Sequence, residues 1–148
     1  MARFQPFPAL RYDPGRVDLG RVICPPYDVI DDAQRAALVA RDPRNAVRVD
    51  LPAEEAGLDR YEVARSLLAR WRDEGVLAAD DRPTFTVHRM AYTDDAGTAR
   101  HTTGVIGALE LSPPGGDILP HEHTTPKARS DRLDLLRACR ANTSAIWG

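Results

Sequence analysis

Proline placement constrains this chain more than any other feature of its sequence. Twelve prolines are spread through 148 residues. Each fixes its own φ, removes a backbone donor and pushes the preceding residue toward extended conformation. Pro6 and Pro8 exclude a helix at the N-terminus, so residues 3–12 read as extended chain leading into an Asp13-Pro14-Gly15 turn. Pro25-Pro26 ends the apolar pair Val22-Ile23, predicted to be a strand, and makes Cys24-Pro25-Pro26-Tyr27-Asp28 a stiff loop. Pro43 bounds a helix predicted over 32–41, with Asp31 as its cap and Gln34 completing a capping box.

Periodicity supplies the other elements. Val47, Val49 and Leu51 alternate with Arg48 and Asp50, which predicts a half-buried strand. Residues 58–74 predict an amphipathic helix with Tyr61, Ala64, Leu68 and Trp71 on its apolar stripe and Gly75 as its C-terminal cap. Residues 84–92 and 98–111 flank the Asp94-Asp95-Ala96-Gly97 turn and predict a β-hairpin. A last helix is predicted from Pro126 to about Arg140, capped by Thr125, with Leu133, Leu136 and Arg140 on one face. The expected fold is α+β: a mixed sheet with a β-hairpin and about three helices, in one domain covering 1–148. The apolar end Ala145-Ile146-Trp147 looks like the start of another strand, so the chain is expected to be the front part of a longer domain.

Composition excludes several classes. No apolar run is long enough to span a membrane, and the N-terminus lacks the apolar region of a secretory signal. Two cysteines, Cys24 and Cys139, make neither a disulfide framework nor a four-cysteine zinc site. A cytoplasmic setting is expected. Basic and acidic residues nearly cancel, 20 against 22, and are interspersed, so duplex nucleic acid is an unlikely partner. One basic residue stands apart: Lys127 is the only lysine among them.

Lys127 lies in the segment with the densest chemistry, Pro120 to Arg132. A helix opening at Pro126 leaves unpaired N–H groups and the positive end of a dipole, which together favour an anion. Lys127 would be the second helical residue, Arg132 lies about one and a half turns on, and Thr124 and Thr125 add hydroxyl donors. Glu122 is suited to general-base work or to magnesium. A capped, solvated helix with ordinary surface charges is the equally weighted alternative. The rigid loop that carries Asp28 is suited to hold a catalytic carboxylate, against the alternative of a turn aspartate.

Other chemistries fit less well. His121-Glu122 does not continue into the zinc-protease pattern, because Thr125 stands where the second histidine is required. His88 and His101 lie on opposite arms of the hairpin and could meet across it. Neither cysteine has a histidine near it in sequence. Gly104 and Gly107 form only a G-x-x-G, and no Walker-A or Rossmann pattern is present.

Four pieces of the chain, in order, resemble the bacterial and archaeal family called domain of unknown function 1015. They are Phe4-Gln5-Pro6-Phe7-Pro8-Ala9-Leu10-Arg11; Cys24-Pro25-Pro26-Tyr27-Asp28-Val29-Ile30; Asn45 with Val47-Arg48-Val49; and Pro120-His121-Glu122-His123-Thr124 with Lys127, Asp131-Arg132-Leu133, Leu135-Leu136 and Asn142. The resemblance implies a longer domain, since the family pattern continues past Ile146-Trp147. Cys24 stands where members carry a small residue, which argues against a cysteine mechanism. A looser similarity to the ParB/sulfiredoxin-type fold, which includes free-serine kinases, implies a nucleotide-dependent phosphotransferase for a small hydroxyl substrate. On that resemblance ATP or ADP binds with magnesium. Lys127 and Arg132 hold phosphates with Thr124 and Thr125, and Glu122 or Asp28, with His121, forms the catalytic group. The alternative is a non-catalytic nucleotide- or nucleic-acid-binding regulatory module. Oligomeric state is left open.

Overall fold

The computed structural model describes residues 2–113, 115–119 and 125–145, with the side chains of 127 and 128 outside the described set. The elements in chain order are β1 (Phe4–Gln5), β2 (Leu10–Tyr12), α1 (Leu19–Val22), a 3-10 turn (Tyr27–Val29), α2 (Asp32–Arg41), α3 (Val47–Asp50), α4 (Arg60–Asp73), β3 (Leu77–Ala79), β4 (Thr86–Thr93), β5 (Ala99–Ile106), β6 (Ala108–Leu109) and α5 (Pro126–Cys139). The fold is α+β, as expected. Its strands form three two-stranded pairs, β1 with β6, β2 with β3 and β4 with β5, rather than one mixed sheet, and its α-helices number five among the described residues. None of those helices is long and apolar enough to cross a membrane.

The chain divides into two compact units. Unit 1 comprises Met1–Leu10 and Ala79–His121, and unit 2 comprises Arg11–Ala78 and Glu122–Gly148.

In unit 2 the core gathers Val49, Val63, Ala64, Leu67, Trp71, Val76, Leu77 and Leu135. Two helices follow the sequence closely. In α2 the Asp31 side chain accepts from the Gln34 N–H while the Gln34 side chain accepts from the Asp31 N–H, the full capping box. α4 is capped by Asp59, and Gly75 beyond its end adopts φ +68°, a conformation that a β-carbon strains. The Arg16 side chain also lies where that β-carbon would project. The buried stripe of α4 is Val63, Ala64, Leu67 and Trp71, so Leu67 and not Leu68 faces inward, with Tyr61 and Leu68 partly buried. On α5, Leu135 is buried and Cys139 packs on the core, while Leu133 and Leu136, on the neighbouring face with Arg140, are exposed.

Two strand expectations are overturned. Residues 47–50 form the short helix α3, and the Val22 region closes the short helix α1. The cause is Asn45. It is fully buried; its side-chain amide donates to the carbonyls of Arg21 (2.7 Å) and Ile23 (3.0 Å), and its side-chain oxygen accepts from the Val47 N–H (3.0 Å). The Ala46 N–H donates to the Val22 carbonyl at 2.7 Å. These bonds turn the chain helically at Val47 and leave its apolar residues buried on more than one side. Alternation of Val47 and Val49 therefore reflects tertiary burial, not a two-faced strand.

In unit 1 the hairpin forms as expected, with β4 and β5 antiparallel from Thr86↔Ile106 to Thr93↔Ala99. Asp94 organises its turn, accepting from the N–H groups of Ala96 and Thr98 and from Arg100. The register sets His88 opposite Gly104 and His101 opposite Ala91, so the two histidines do not face each other as cross-strand partners. β1 pairs antiparallel with β6, and the Phe4 and Phe85 rings stack with centroids 5.3 Å apart. A β-carbon on Gly107 would come within 2.5 Å of the Phe4 ring, so this glycine serves close aromatic packing.

Candidate functional site

The proline-stiffened loop and helix α5 meet in unit 2. Residues 24–26 lead into the 3-10 turn, and the Asn45 amide fixes the carbonyls of Arg21 and Ile23 just ahead of them. Tyr27 is thereby presented to α5, where the Arg132 guanidinium lies over its ring, 3.9 Å from the centroid. A guanidinium at this distance over a phenol ring gains both stacking and cation–π attraction.

Arg132 is also held by carboxylates. Its Nη1 donates to the Asp50 carbonyl (2.8 Å) and to Asp50 Oδ1 (3.2 Å). Its Nε and Nη2 donate to Asp131 Oδ2, at 3.1 and 2.7 Å. Asp50, the last residue of α3, is buried, and its Oδ1 accepts two further bonds, from the hydroxyls of Thr143 (2.7 Å) and Ser144 (2.9 Å). Asp131 accepts from the Tyr61 hydroxyl at 3.0 Å and pairs with Arg60 at 2.8 Å. The result is a continuous polar network over α3, α4, α5, the 3-10 turn and the segment around 143–144.

The charges follow from these contacts. Burial opposes ionisation of Asp131, but bonds from Arg132 and Tyr61 and the charges of Arg132 and Arg60 outweigh it and hold its carboxyl below the usual range. Burial and the bond to Asp131 push the Tyr61 phenol up, against a smaller opposing effect of Arg60. Burial, with the nearby charge of Asp50, pushes the Cys24 thiol up to about 11, so it stays protonated near neutral pH. Burial likewise raises the Cys139 thiol. These shifts agree with the expectation that neither cysteine is a nucleophile.

Of the residues singled out from the sequence, Asp28 is exposed on the 3-10 turn next to Tyr27. Thr125 is exposed immediately before α5, and its carbonyl accepts from the Arg129 N–H at 3.1 Å, so the helix begins where proline placement predicted. Lys127 is the second residue of α5. His121, Glu122 and Thr124 lie outside the described residues. Among those described, no group of three His, Cys, Asp or Glu side chains is placed to hold a metal ion. A phosphate would find guanidinium donors at Arg132, but each nitrogen of that group already has a carboxylate or carbonyl partner. An anion bound there competes with Asp50 and Asp131 for the guanidinium.

No local pattern marks Asp50, Thr143 and Ser144. They lie 82, 93 and 94 residues along the chain from their respective partners, Arg132 for Asp50 and Asp50 for the two hydroxyls. Tyr27 was legible only as a loop aromatic.

Three of the four sequence pieces quoted above thus have a structural place in one unit: the loop, the Asn45 clamp and α5. A family model, described as protein of unknown function (DUF1015), matches residues 4–148. The chain belongs to this family. Comparison with curated proteins and with solved structures finds no match. Within the DUF1015 chain, the Cys-Pro-Pro-Tyr-Asp loop and the Asp-Arg-Leu of α5 are not independent motifs, since Tyr27 and Arg132 touch.

Proposed function

We propose that this DUF1015 chain is a nucleotide-dependent phosphotransferase acting on a small hydroxyl substrate such as free serine. The observation that carries the reading is the Tyr27–Arg132 stack, which joins an acidic, conformationally restricted loop to a helix that begins at a Thr-Pro-Lys sequence. The first turn of α5, with Lys127 and the preceding Thr124 and Thr125, would receive phosphates of ATP or ADP, and magnesium bound with them would neutralise phosphate charge. Arg132 balances phosphate charge by exchanging its bonds to Asp131 for the ligand while its bonds to Asp50 remain. Asp28 or Glu122 takes the substrate hydroxyl proton, with His121 beside Glu122. The choice of free serine comes from the sequence resemblance to ParB/sulfiredoxin-type serine kinases noted above, and no solved structure matches the chain.

The test is incubation of the chain with ATP or ADP, magnesium and free serine, with phosphoserine read by mass spectrometry and nucleotide binding by calorimetry. Phosphoserine formation that is lost on Asp28→Asn or Lys127→Ala supports the reading. Absence of both product and nucleotide binding removes it. One observation favours a second reading, a non-catalytic nucleotide-binding module: Arg132 is already tied to Asp50 and Asp131, as a structural residue would be. That reading expects nucleotide binding with no product.

A further inference from the structure

Asp50 lies outside every sequence pattern that suggested a site, yet its carboxylate is both buried and multiply bonded. It is 8% exposed, and one oxygen, Oδ1, accepts from Arg132, Thr143 and Ser144. Its backbone carbonyl accepts from the same Arg132 nitrogen. A buried carboxylate is retained only where its charge is matched. Here the match is a guanidinium 23% exposed on its side chain, which turns its face to Tyr27 and its remaining nitrogens to Asp131.

Two carboxylates and a ring therefore surround Arg132, with different consequences. Asp131 is its neighbour on α5, so their contact travels with the helix. Asp50 comes from α3, the element whose start is fixed by Asn45, the residue that also fixes the approach to the Tyr27 loop. Only Asp50 refers the guanidinium to the same scaffold that carries Tyr27.

We infer that Asp50 is the positioning residue for Arg132, holding its guanidinium over Tyr27 at the junction of loop and helix. Thr143 and Ser144 complete the hydrogen bonding of the carboxylate and anchor their own segment to it. The inference concerns the site proposed above and rests on that reading only for its effect on nucleotide binding. The placement of Arg132 is tested separately.

The experiment uses the full chain labelled with 15N-arginine. In the parent, the Tyr27 ring current and the carboxylate bonds give the Arg132 side-chain N–H a displaced, slowly exchanging resonance, assigned by its loss in Arg132→Lys. Asp50→Asn keeps the shape and removes the charge. It is expected to move that resonance toward the free-arginine position and to speed its exchange, while Tyr27→Leu removes the ring-current displacement alone. The paired variant Thr143→Ala with Ser144→Ala is expected to leave the Arg132 resonance in place. If the paired variant moves it as far as Asp50→Asn does, or if Asp50→Asn folds and leaves it unmoved, Asp50 is only an anchor for 143–144 and the inference is overturned. Should Asp50→Asn fail to fold, Asp50→Glu, which keeps the charge and moves the carboxylate, takes its place: a displaced Arg132 resonance supports the inference and an unmoved one overturns it. Where the parent binds nucleotide, Asp50→Asn weakens binding by roughly 10-fold or more and the paired variant by less than about twofold. A parent that binds no nucleotide defeats the phosphotransferase reading and leaves the resonance test standing.

Discussion

In unit 2 the Trp71 ring is 1% exposed and Leu135 is 2% exposed, whereas in unit 1 the large apolar side chains Val87, Val105 and Phe4 are 68, 55 and 48% exposed. Every fully buried residue among those described belongs to unit 2. The difference follows from element type. Helix α4 buries the stripe Val63, Ala64, Leu67 and Trp71, and Leu135 and Cys139 of α5 pack in the same core, so a tryptophan can be enclosed. A two-stranded hairpin has two faces and no third layer of its own, so unit 1 is held by ladder bonds, the Asp94 turn and the Phe4–Phe85 stack. The contrast teaches where chemistry can be held rigidly: the polar network around Arg132 sits on the unit that has a core.

The comparison can be broken or sharpened by substitution. Trp71→Ala should cost about 3–5 kcal/mol in denaturant unfolding followed by far-UV circular dichroism. A loss below about 1 kcal/mol would show that the core does not depend on this ring. Asn45→Ala strips three bonds from a buried site and should cost about 2–3 kcal/mol. It should also displace the Tyr27 resonances, whereas an Asn45 that only fills space would leave them unchanged. In unit 1, Gly107→Ala should unstack Phe4 from Phe85 and cost only about 1 kcal/mol, detected as altered Phe ring shifts with α4 amides undisturbed.

The smallest effect is acid sensitivity. Because the folded carboxyl of Asp131 titrates below its unfolded value, its contribution is fully present above the unfolded pKa and is lost as pH falls through the folded one. Asp131→Asn should therefore flatten the acid limb of unit 2 stability below about pH 4. An acid limb identical to that of the parent would contradict the network.

Local signals were legible. Asp31 with Gln34, Gly75 after α4, the Asp94 turn and Thr125-Pro126 each act within a few residues, and each stands where residue chemistry put it. The errors came where a distant residue overruled a local pattern. Asn45 turned the Val47-Val49 alternation into a helix, and packing in the core buried Leu67 of α4 more deeply than Leu68. The site divides in the same way. Arg132 was visible as a basic residue near a helix start, but Asp50 acquires its meaning only from partners far along the chain.

The raised thiols have a practical side. With Cys24 titrating at about 11, only about one thiol in ten thousand is ionised at pH 7. Cys139 is shifted in the same direction. An ordinary exposed cysteine introduced on the hairpin would ionise far more readily and would react first with a maleimide. A reporter cysteine placed on the hairpin of unit 1 should therefore label ahead of both native thiols at neutral pH, a ranking checked by mass spectrometry of the labelled chain.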